Sequence, residues 1–318
     1  MKVLVTGGAG FIGSNLADAL LKDSEVTLVR VVDNLSTGFR ENISQHIDNP
    51  KFEFIEGDIA DINQCKEAVQ GCTHISHQAA LGSVPRSIKD PVATNYNNIT
   101  GTLNVLQSAR EQNIKRIVFA SSSSVYGDDA NLPKVEYKTG NVLSPYALTK
   151  KTKEEYAKLF AELFDLSIIG LRYFNVFGPK QSPKGAYAAV IPLFISKLMA
   201  GIQSDIHGDG EQSRDFTFIK NVVNANILAL KAKRLPSNYN IYNIAFGDKT
   251  TVNQLYFTIA NLLGKDIQPR YTPSRTGDIK HSLADITKIK KEIEYQPLVS
   301  IKEGLVETVN WFKDKNEK

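Results

Sequence analysis

The sequence has few of the residues that would mark an extracellular, metal-binding or membrane protein. Cysteine occurs twice in 318 residues, as Cys65 and Cys72. Two thiols placed in a predicted helix and at its exit form neither a bridge framework nor a thiolate metal site, so both are expected to be reduced. The five histidines, His46, His74, His77, His207 and His281, are scattered. No pair has metal-ligand spacing on a helix, and all five are expected to be structural or exposed, with no metal. No apolar run reaches the 18 residues needed to cross a bilayer. The start, Lys2 followed by apolar residues, is broken by glycines and followed by Asp18, unlike a secretory leader. The expectation is a soluble, cytoplasmic protein without a membrane partner. No long block of like charge is present: 38 basic and 34 acidic residues give a net charge of +4. That balance disfavours nucleic acid as the main partner. The apolar fraction of 42% suffices for a full core without disulfides.

What is present begins with Lys2-Val3-Leu4-Val5-Thr6, a short apolar run closed by Gly7-Gly8-Ala9-Gly10-Phe11-Ile12-Gly13. An amphipathic helix is predicted over 11–22, then a β-branched strand over 26–32 that ends at Asp33. Strand, glycine turn, helix, strand, acid is the order of a dinucleotide-binding βαβ unit. The glycines let backbone approach a pyrophosphate, which also meets the positive end of the helix. Asp33 would accept hydrogen bonds from ribose hydroxyls and repel a 2′-phosphate, which selects NAD over NADP. Strands over 52–55, 74–77, 117–120 and 167–171 then alternate with helices over 61–70, 90–113 and 145–165. This alternation predicts an α/β, Rossmann-type doubly wound parallel sheet. From about Asn175 the pattern becomes mixed, with short strands over 204–220 and helices near 221–233, 251–263 and 301–314. The expected division is an NAD-binding domain over 1–174 and a smaller mixed α/β nucleotide-sugar-binding region over 175–318, with some later elements returning to the main sheet.

Ser144-Pro145-Tyr146-Ala147-Leu148-Thr149-Lys150 places a tyrosine and a lysine four apart, with Pro145 suited to the first position of a helix. Phenol and ammonium then share a helical face, and a nearby lysine favours the phenolate, making tyrosine a usable base. Alone, such a pair is ordinary surface decoration. The glycine turn and the serine run Ser121 to Ser124, before Val125-Tyr126-Gly127, give it a catalytic reading.

These three stretches together resemble the extended short-chain dehydrogenase/reductase family. Leu171-Arg172-Tyr173-Phe174-Asn175-Val176-Phe177-Gly178-Pro179, Gly208-Asp209-Gly210, Arg214-Asp215-Phe216 and Arg275-Thr276-Gly277-Asp278 narrow the likeness to UDP-hexose 4-epimerases. Residues 80–87 and 185–192 look closest to the enzymes acting on UDP-N-acetylated hexosamines. The resemblance implies a redox-neutral epimerisation at C4 through a 4-keto sugar, with Tyr146 as base and Lys150 holding the nicotinamide ribose. Ser122 matches the family's hydrogen-bonding serine or threonine. Cofactor contacts are implied for Gly7, Gly10, Phe11, Ile12, Gly13, Asp33, Asn34, Asp58, Ile59, Gln78, Ala79, Ala80, Asn98, Tyr146, Lys150 and Tyr173. Substrate contacts are implied for Ser83, Arg86, Ser122, Ser123, Asn175, Ala189, Val190, Arg214, Arg275, Asp278 and Ser282. Arg214 and Arg275 match arginines that bind the diphosphate, and Tyr173 would lie over the reacting sugar. Ser282 falls at a gatekeeper position, where a small side chain leaves room for an N-acetyl group. Ser123 and Ser124 lack the acid and base that dehydratases and decarboxylases of the family carry beside the serine. UDP-GlcNAc/UDP-GalNAc interconversion, in the supply of surface polysaccharides, is therefore the expected function. Alternatives are an unmodified UDP-hexose, a UDP-glucuronate for which Arg86 would meet the carboxylate, or a non-catalytic NAD-binding protein. Homodimers are usual in the family, through helices corresponding to 91–113 and 145–165.

Overall fold

The computed structural model of the chain describes residues 1–183, 188–274 and 280–316. Its centre is a seven-stranded sheet, parallel throughout. The strands are β1 (Lys2–Thr6), β2 (Leu28–Asp33), β3 (Phe52–Glu56), β4 (His74–His77), β5 (Arg116–Ser122), β6 (Ile168–Tyr173) and β7 (Tyr239–Ile244). Their spatial order is β7-β6-β5-β4-β1-β2-β3. Helices cover both faces, so the central strands are apolar on both sides. In β5 every residue from Ile117 to Ser121 is buried. The strand order reverses between β1 and β4, which opens a crevice beyond their carboxyl ends.

The first turn shows how the sequence sets this crevice. Gly7 sits at φ +67°, and a Cβ there would fall 2.7 Å from the Ala79 backbone. A Cβ on Gly13 would fall 2.3 Å from the Gly7 carbonyl oxygen. Only glycine permits the strand, turn and helix to lie this close. Helix α1 (Phe11–Lys22) follows, burying Leu16, Ala17 and Leu20 on its inner face.

Helix α2 (Ile62–Val69) follows the expected order, α3 (Val84–Lys89) is a short helix that was not anticipated, and α4 (Pro91–Asn95) opens the next expected segment. The single helix expected over 90–113 is broken: α4 passes through one π turn, Tyr96–Thr100, into α5 (Gly101–Glu111). The widened turn has a local cause. It lets Asn98 bond the 81 loop and Thr149 while Asn97 faces the crevice, and π turns favour such sites.

Helix α6 (Pro145–Phe164) starts as its sequence dictates, with Pro145 at N1 and the Ser144 hydroxyl accepting from the Ala147 amide at 3.1 Å. Its buried stripe is Ala147, Thr149, Lys150, Lys153, Glu154, Ala157 and Ala161, so a polar patch lies inside an otherwise apolar face. Asp165 ends the helix in the left-handed conformation.

Beyond β6, pairs of short strands build a smaller lobe: Val176–Phe177 with Thr217–Phe218, Ser213–Arg214 with Thr250–Thr251, and Asp205–His207 with Arg270–Thr272. Helices α7 (Val190–Met199), α9 (Val252–Leu263) and α11 (Ile301–Asn316) pack together beside them, whereas α8 (Ile219–Lys231) packs on α1 and strands β4, β5 and β6 of the main sheet, and α10 (Thr287–Ile293) on β7. An aromatic cluster of Phe177, Phe216 and Phe218, with Phe194 edge-on to Tyr256, belongs to the same core. Strand β7 extends the main sheet beside β6, so a late segment completes the early architecture. Among the described residues no helix is long and apolar enough to cross a membrane.

Candidate active site

A cavity of about 480 Å³ occupies the crevice. Its walls include Gly7, Gly10, Phe11, Ile12, Gly13, Asp33, Asn34, Asp58, Ile59, Gln78, Ala79 and Ala80. Ser122, Tyr146, Lys150, Tyr173, Asn175 and Arg86 line the same space. Motifs far apart in the chain meet here because each ends a parallel strand or starts the following helix.

The floor fits a dinucleotide. Gly10 is the N-cap of α1 and supplies no side-chain acceptor, leaving the first-turn amides open to an anion. At the end of β2, Asp33 accepts from the Ala9 amide at 2.9 Å and the Leu35 amide at 2.8 Å. Burial raises its pKa and the amides oppose that shift. The carboxylate still lines the cavity, where remaining lone pairs suit a ribose diol. Asn34 donates to Asp58 at 3.1 Å, fixing the adjoining wall. These features suit NAD, and Asp33 disfavours a 2′-phosphate.

Ser122 ends β5, and its hydroxyl accepts from the Ser124 amide at 3.1 Å. Tyr146 is half-buried across from it. Burial raises the Tyr146 pKa, while a hydrogen bond with Ser122 pulls it down. Lys150 is buried, with Nζ 5.7 Å from the Tyr146 ring centroid and donating to the Ala120 carbonyl at 3.0 Å. Burial lowers Lys150 to about 8, and the Glu154 carboxylate acts in the opposite sense. The expected depression of Tyr146 is thus outweighed in the protein by itself, because both groups have lost water.

Behind the site lies a hydrogen-bonded brace that the sequence reading missed. Glu154 takes a paired contact from Arg172 at 2.9 and 2.8 Å and one from Ser121 at 2.5 Å. Arg172 also donates to the Tyr126 hydroxyl, which donates to Asn243 on β7. Tyr173 donates to Gln78 at 3.0 Å and accepts from Asn226 on α8 at 2.8 Å; burial pushes its pKa up to about 12. Its hydroxyl is therefore occupied in positioning Gln78. The one available signal for Arg172 and Glu154 was their adjacency to Tyr173 and Lys153, and nothing in a single sequence joins them to each other.

Other expected residues lie outside the cavity wall. Asn98 sits one layer behind, accepting from the Leu81 amide at 2.7 Å. Ser83 caps α3 by accepting from the Arg86 amide. Ser123 begins the turn after β5. Ala189 and Val190 start α7, whose N-cap also lacks a side-chain acceptor. Arg214 donates to the Ser213 and Lys280 carbonyls. The Ser282 amide donates to the Ser213 carbonyl at 3.1 Å, which sets residue 282 beside Arg214. Arg275 and Asp278 fall outside the described residues. Leu81, Gly82, Asn97, Ser36 and Thr37 line the cavity without having been anticipated. Leu81 and Gly82 lie within the 80–87 stretch and the others flank recognised motifs, but none carries a chemical signature of its own.

The NAD dependent epimerase/dehydratase family model matches residues 3–245. A putative UDP-glucose 4-epimerase of Methanocaldococcus jannaschii is 39% identical over 316 residues, covering 99% of each chain. The solved UDP-N-acetylglucosamine 4-epimerase from Methanobrevibacter ruminantium, in complex with UDP-N-acetylmuramic acid, is 41% identical. It superposes with a TM-score of 0.91 over 99% of this chain and 98% of its own. The Bacillus cereus UDP-glucuronic acid 4-epimerase, solved with UDP-glucuronic acid and NAD, is 31% identical. Its TM-score is 0.91, over 99% of this chain and 100% of its own. The shared motifs, the full-length matches and the sheet order lead to one statement: the chain belongs to the NAD dependent epimerase/dehydratase family.

Proposed function

We propose that the protein inverts C4 of UDP-hexoses with NAD as cofactor, and that UDP-GlcNAc and UDP-GalNAc are its main pair. The convergence of Ser122, Tyr146 and Lys150 on the cavity that also holds the glycine turn and Asp33 carries this reading. When bound, NAD supplies the hydride acceptor and donor at C4, and its positive nicotinamide favours the Tyr146 phenolate. Tyr146 takes the proton of the sugar 4-hydroxyl and returns it once the ring has presented its other face. Ser122, fixed by the Ser124 amide, shares a hydrogen bond with the sugar oxygen and the phenol. Lys150, tethered to the Ala120 carbonyl, holds the cofactor's ribose and keeps positive charge beside Tyr146.

Substrate choice rests on Ser282, whose small side chain leaves space for an N-acetyl group. Arg214 would form part of the diphosphate end of the site, together with the α7 start at Ala189 and Val190. Ser123 offers a neutral hydroxyl beside Ser122, which supports epimerisation over dehydration. A second reading has one observation behind it. Arg86 lines the cavity, and its guanidinium has no partner among the described residues, so it suits the carboxylate of UDP-glucuronate. Homodimerisation is part of the proposal: Val92 on α4 and Leu159 and Leu163 on α6 are 77%, 50% and 70% exposed. Sedimentation of the purified protein as a monomer would remove it.

The substrate is tested by incubating purified protein separately with UDP-GlcNAc, UDP-glucose and UDP-glucuronate. Fastest approach to a mixture from UDP-GlcNAc supports the acetylated reading. A mixture from UDP-glucuronate alone transfers the assignment to Arg86.

A further inference from the structure

Helix α6 carries a second buried lysine that the proposed chemistry leaves unused. Lys153 follows Lys150 by three residues, so both side chains leave the helix on one face. Lys153 is 1% exposed, and its Nζ has no hydrogen-bond partner among the described residues. The nitrogen lies 5.7 Å from the centroid of the Phe119 ring on β5. An ammonium there would be shielded from bulk solvent with no protein acceptor among the described residues, and a single aromatic face replaces only part of that loss.

The charged surroundings do not supply a counterion. The charged and titratable groups that act on Lys153 are Lys150, on its own helix, and His77 on β4; Glu154, next to it in the chain, is the nearest carboxylate in sequence on the buried stripe. From β5 comes the Phe119 ring. Glu154 is the anion of this group, and Arg172 and Ser121 already hold both its oxygens. His77 is wedged between Thr6 at 2.7 Å and Thr102 at 3.0 Å. Burial pushes its pKa well below the ordinary value, and a positive charge on either lysine pushes in the same direction. Lys150 differs from Lys153 in having an acceptor, the Ala120 carbonyl, and in being favoured as a cation by Glu154.

We propose that Lys150 and Lys153 are a coupled pair carrying one positive charge at neutral pH, with the proton on Lys150 and Lys153 present as the neutral amine. A second proton must enter against both burial and repulsion, as in any closely spaced pair of like groups. Burial, followed by the charge of Lys150, holds the Lys153 pKa well down. The cation is thereby kept where the Tyr146 phenolate needs it. Lys153 becomes charged only on acidification, placing an uncompensated cation behind the site. The functional consequence rests on the epimerase reading of Lys150, but the charge state does not depend on turnover.

The test is NMR titration of the full-length protein with ¹³C-labelled lysine ε-methylenes, comparing wild type, Lys150→Met and Lys153→Met. The expected result is that only Lys150 of the pair is charged at pH 7 in the wild type. In Lys150→Met, Lys153 gains at least tenfold in proton affinity, because its repelling neighbour is gone. Lys153→Met leaves Lys150 charged at pH 7 and reduces the loss of melting temperature on acidification. Two charged lysines at pH 7 in the wild type, or an unmoved Lys153 titration in Lys150→Met, overturn the proposal. The wild-type titration decides the matter even if a variant fails to fold. Failure to convert any UDP-sugar would instead remove the functional reading and leave the titration as it is.

Discussion

A phenol raised by burial and a lysine lowered by it make an unusual acid–base pair to find on one helical face. Tyr146 and Lys150 are both short of water, and Ser122 is the neighbour that offsets the cost on the phenol. Removing the Tyr146 hydroxyl should therefore slow proton transfer sharply without disturbing the dinucleotide floor. Tyr146→Phe is expected to lower kcat by about 10²–10⁴-fold while NAD binding, followed by fluorescence titration, stays near wild type. Ser282 makes a different prediction, since it is argued to act by size alone. Ser282→Tyr should suppress conversion of UDP-GlcNAc by at least roughly tenfold while sparing UDP-glucose, as expected when a bulky group fills space needed by one substrate only. Equal loss on both substrates, measured as kcat/KM, would reject the size argument.

At the level of elements, the βαβ start is the most constrained part of the chain. Gly13→Ala would drive a Cβ to 2.3 Å from the Gly7 carbonyl oxygen, a contact that can be relieved only by moving α1 away from β1. The expected cost is about 1–3 kcal/mol in denaturant unfolding, with a parallel loss of NAD affinity. This unit was legible in the sequence because glycine spacing, strand composition and the acid at Asp33 are all local signals. Helix α6 was legible for the same reason: Ser144 and Pro145 announce its start. Helix α7 and β7 were not anticipated as such. The former is strongly apolar and starts without a side-chain cap, so little in its sequence marks where it begins. The latter, Tyr-Asn-Ile-Tyr-Asn-Ile, shows its place only through pairing with β6, some seventy residues earlier. The π turn was invisible because the partners of its Asn98, the Leu81 amide and Thr149, are distant in the chain. The Glu154–Arg172 brace joins α6 to β6, a contact that no local pattern encodes. Ser83, Ala189 and Ser282 were placed by resemblance, and the fold puts them near elements of the site without making them cavity wall.

For the molecule as a whole, Asp215 ties the smaller lobe to the end of the sheet. Its carboxylate accepts from the Phe246, Gly247 and Ala284 amides, while its own carbonyl accepts from Asn175. Burial pushes its pKa up to about 7, with the amides opposing. Because the folded state holds a proton that the unfolded chain has released, this group's stabilising contribution is complete below pH 4. It is lost as pH rises through about 7. Asp215→Asn should flatten the fall in melting temperature across that interval, whatever its effect on absolute stability. An unchanged slope would show that Asp215 does not titrate there.

The central claim is that hydrogen leaves C4 and returns to it within one closed site, without exchange with water. The most direct test starts from UDP-GlcNAc carrying deuterium at C4, in ordinary water, with the product examined by mass spectrometry and NMR. The account predicts UDP-GalNAc with deuterium retained at C4, no accumulation of NADH equivalent to product, and product formed in Tyr146→Phe only at the correspondingly lowered rate. Product whose C4 deuterium has been replaced by solvent hydrogen would contradict it.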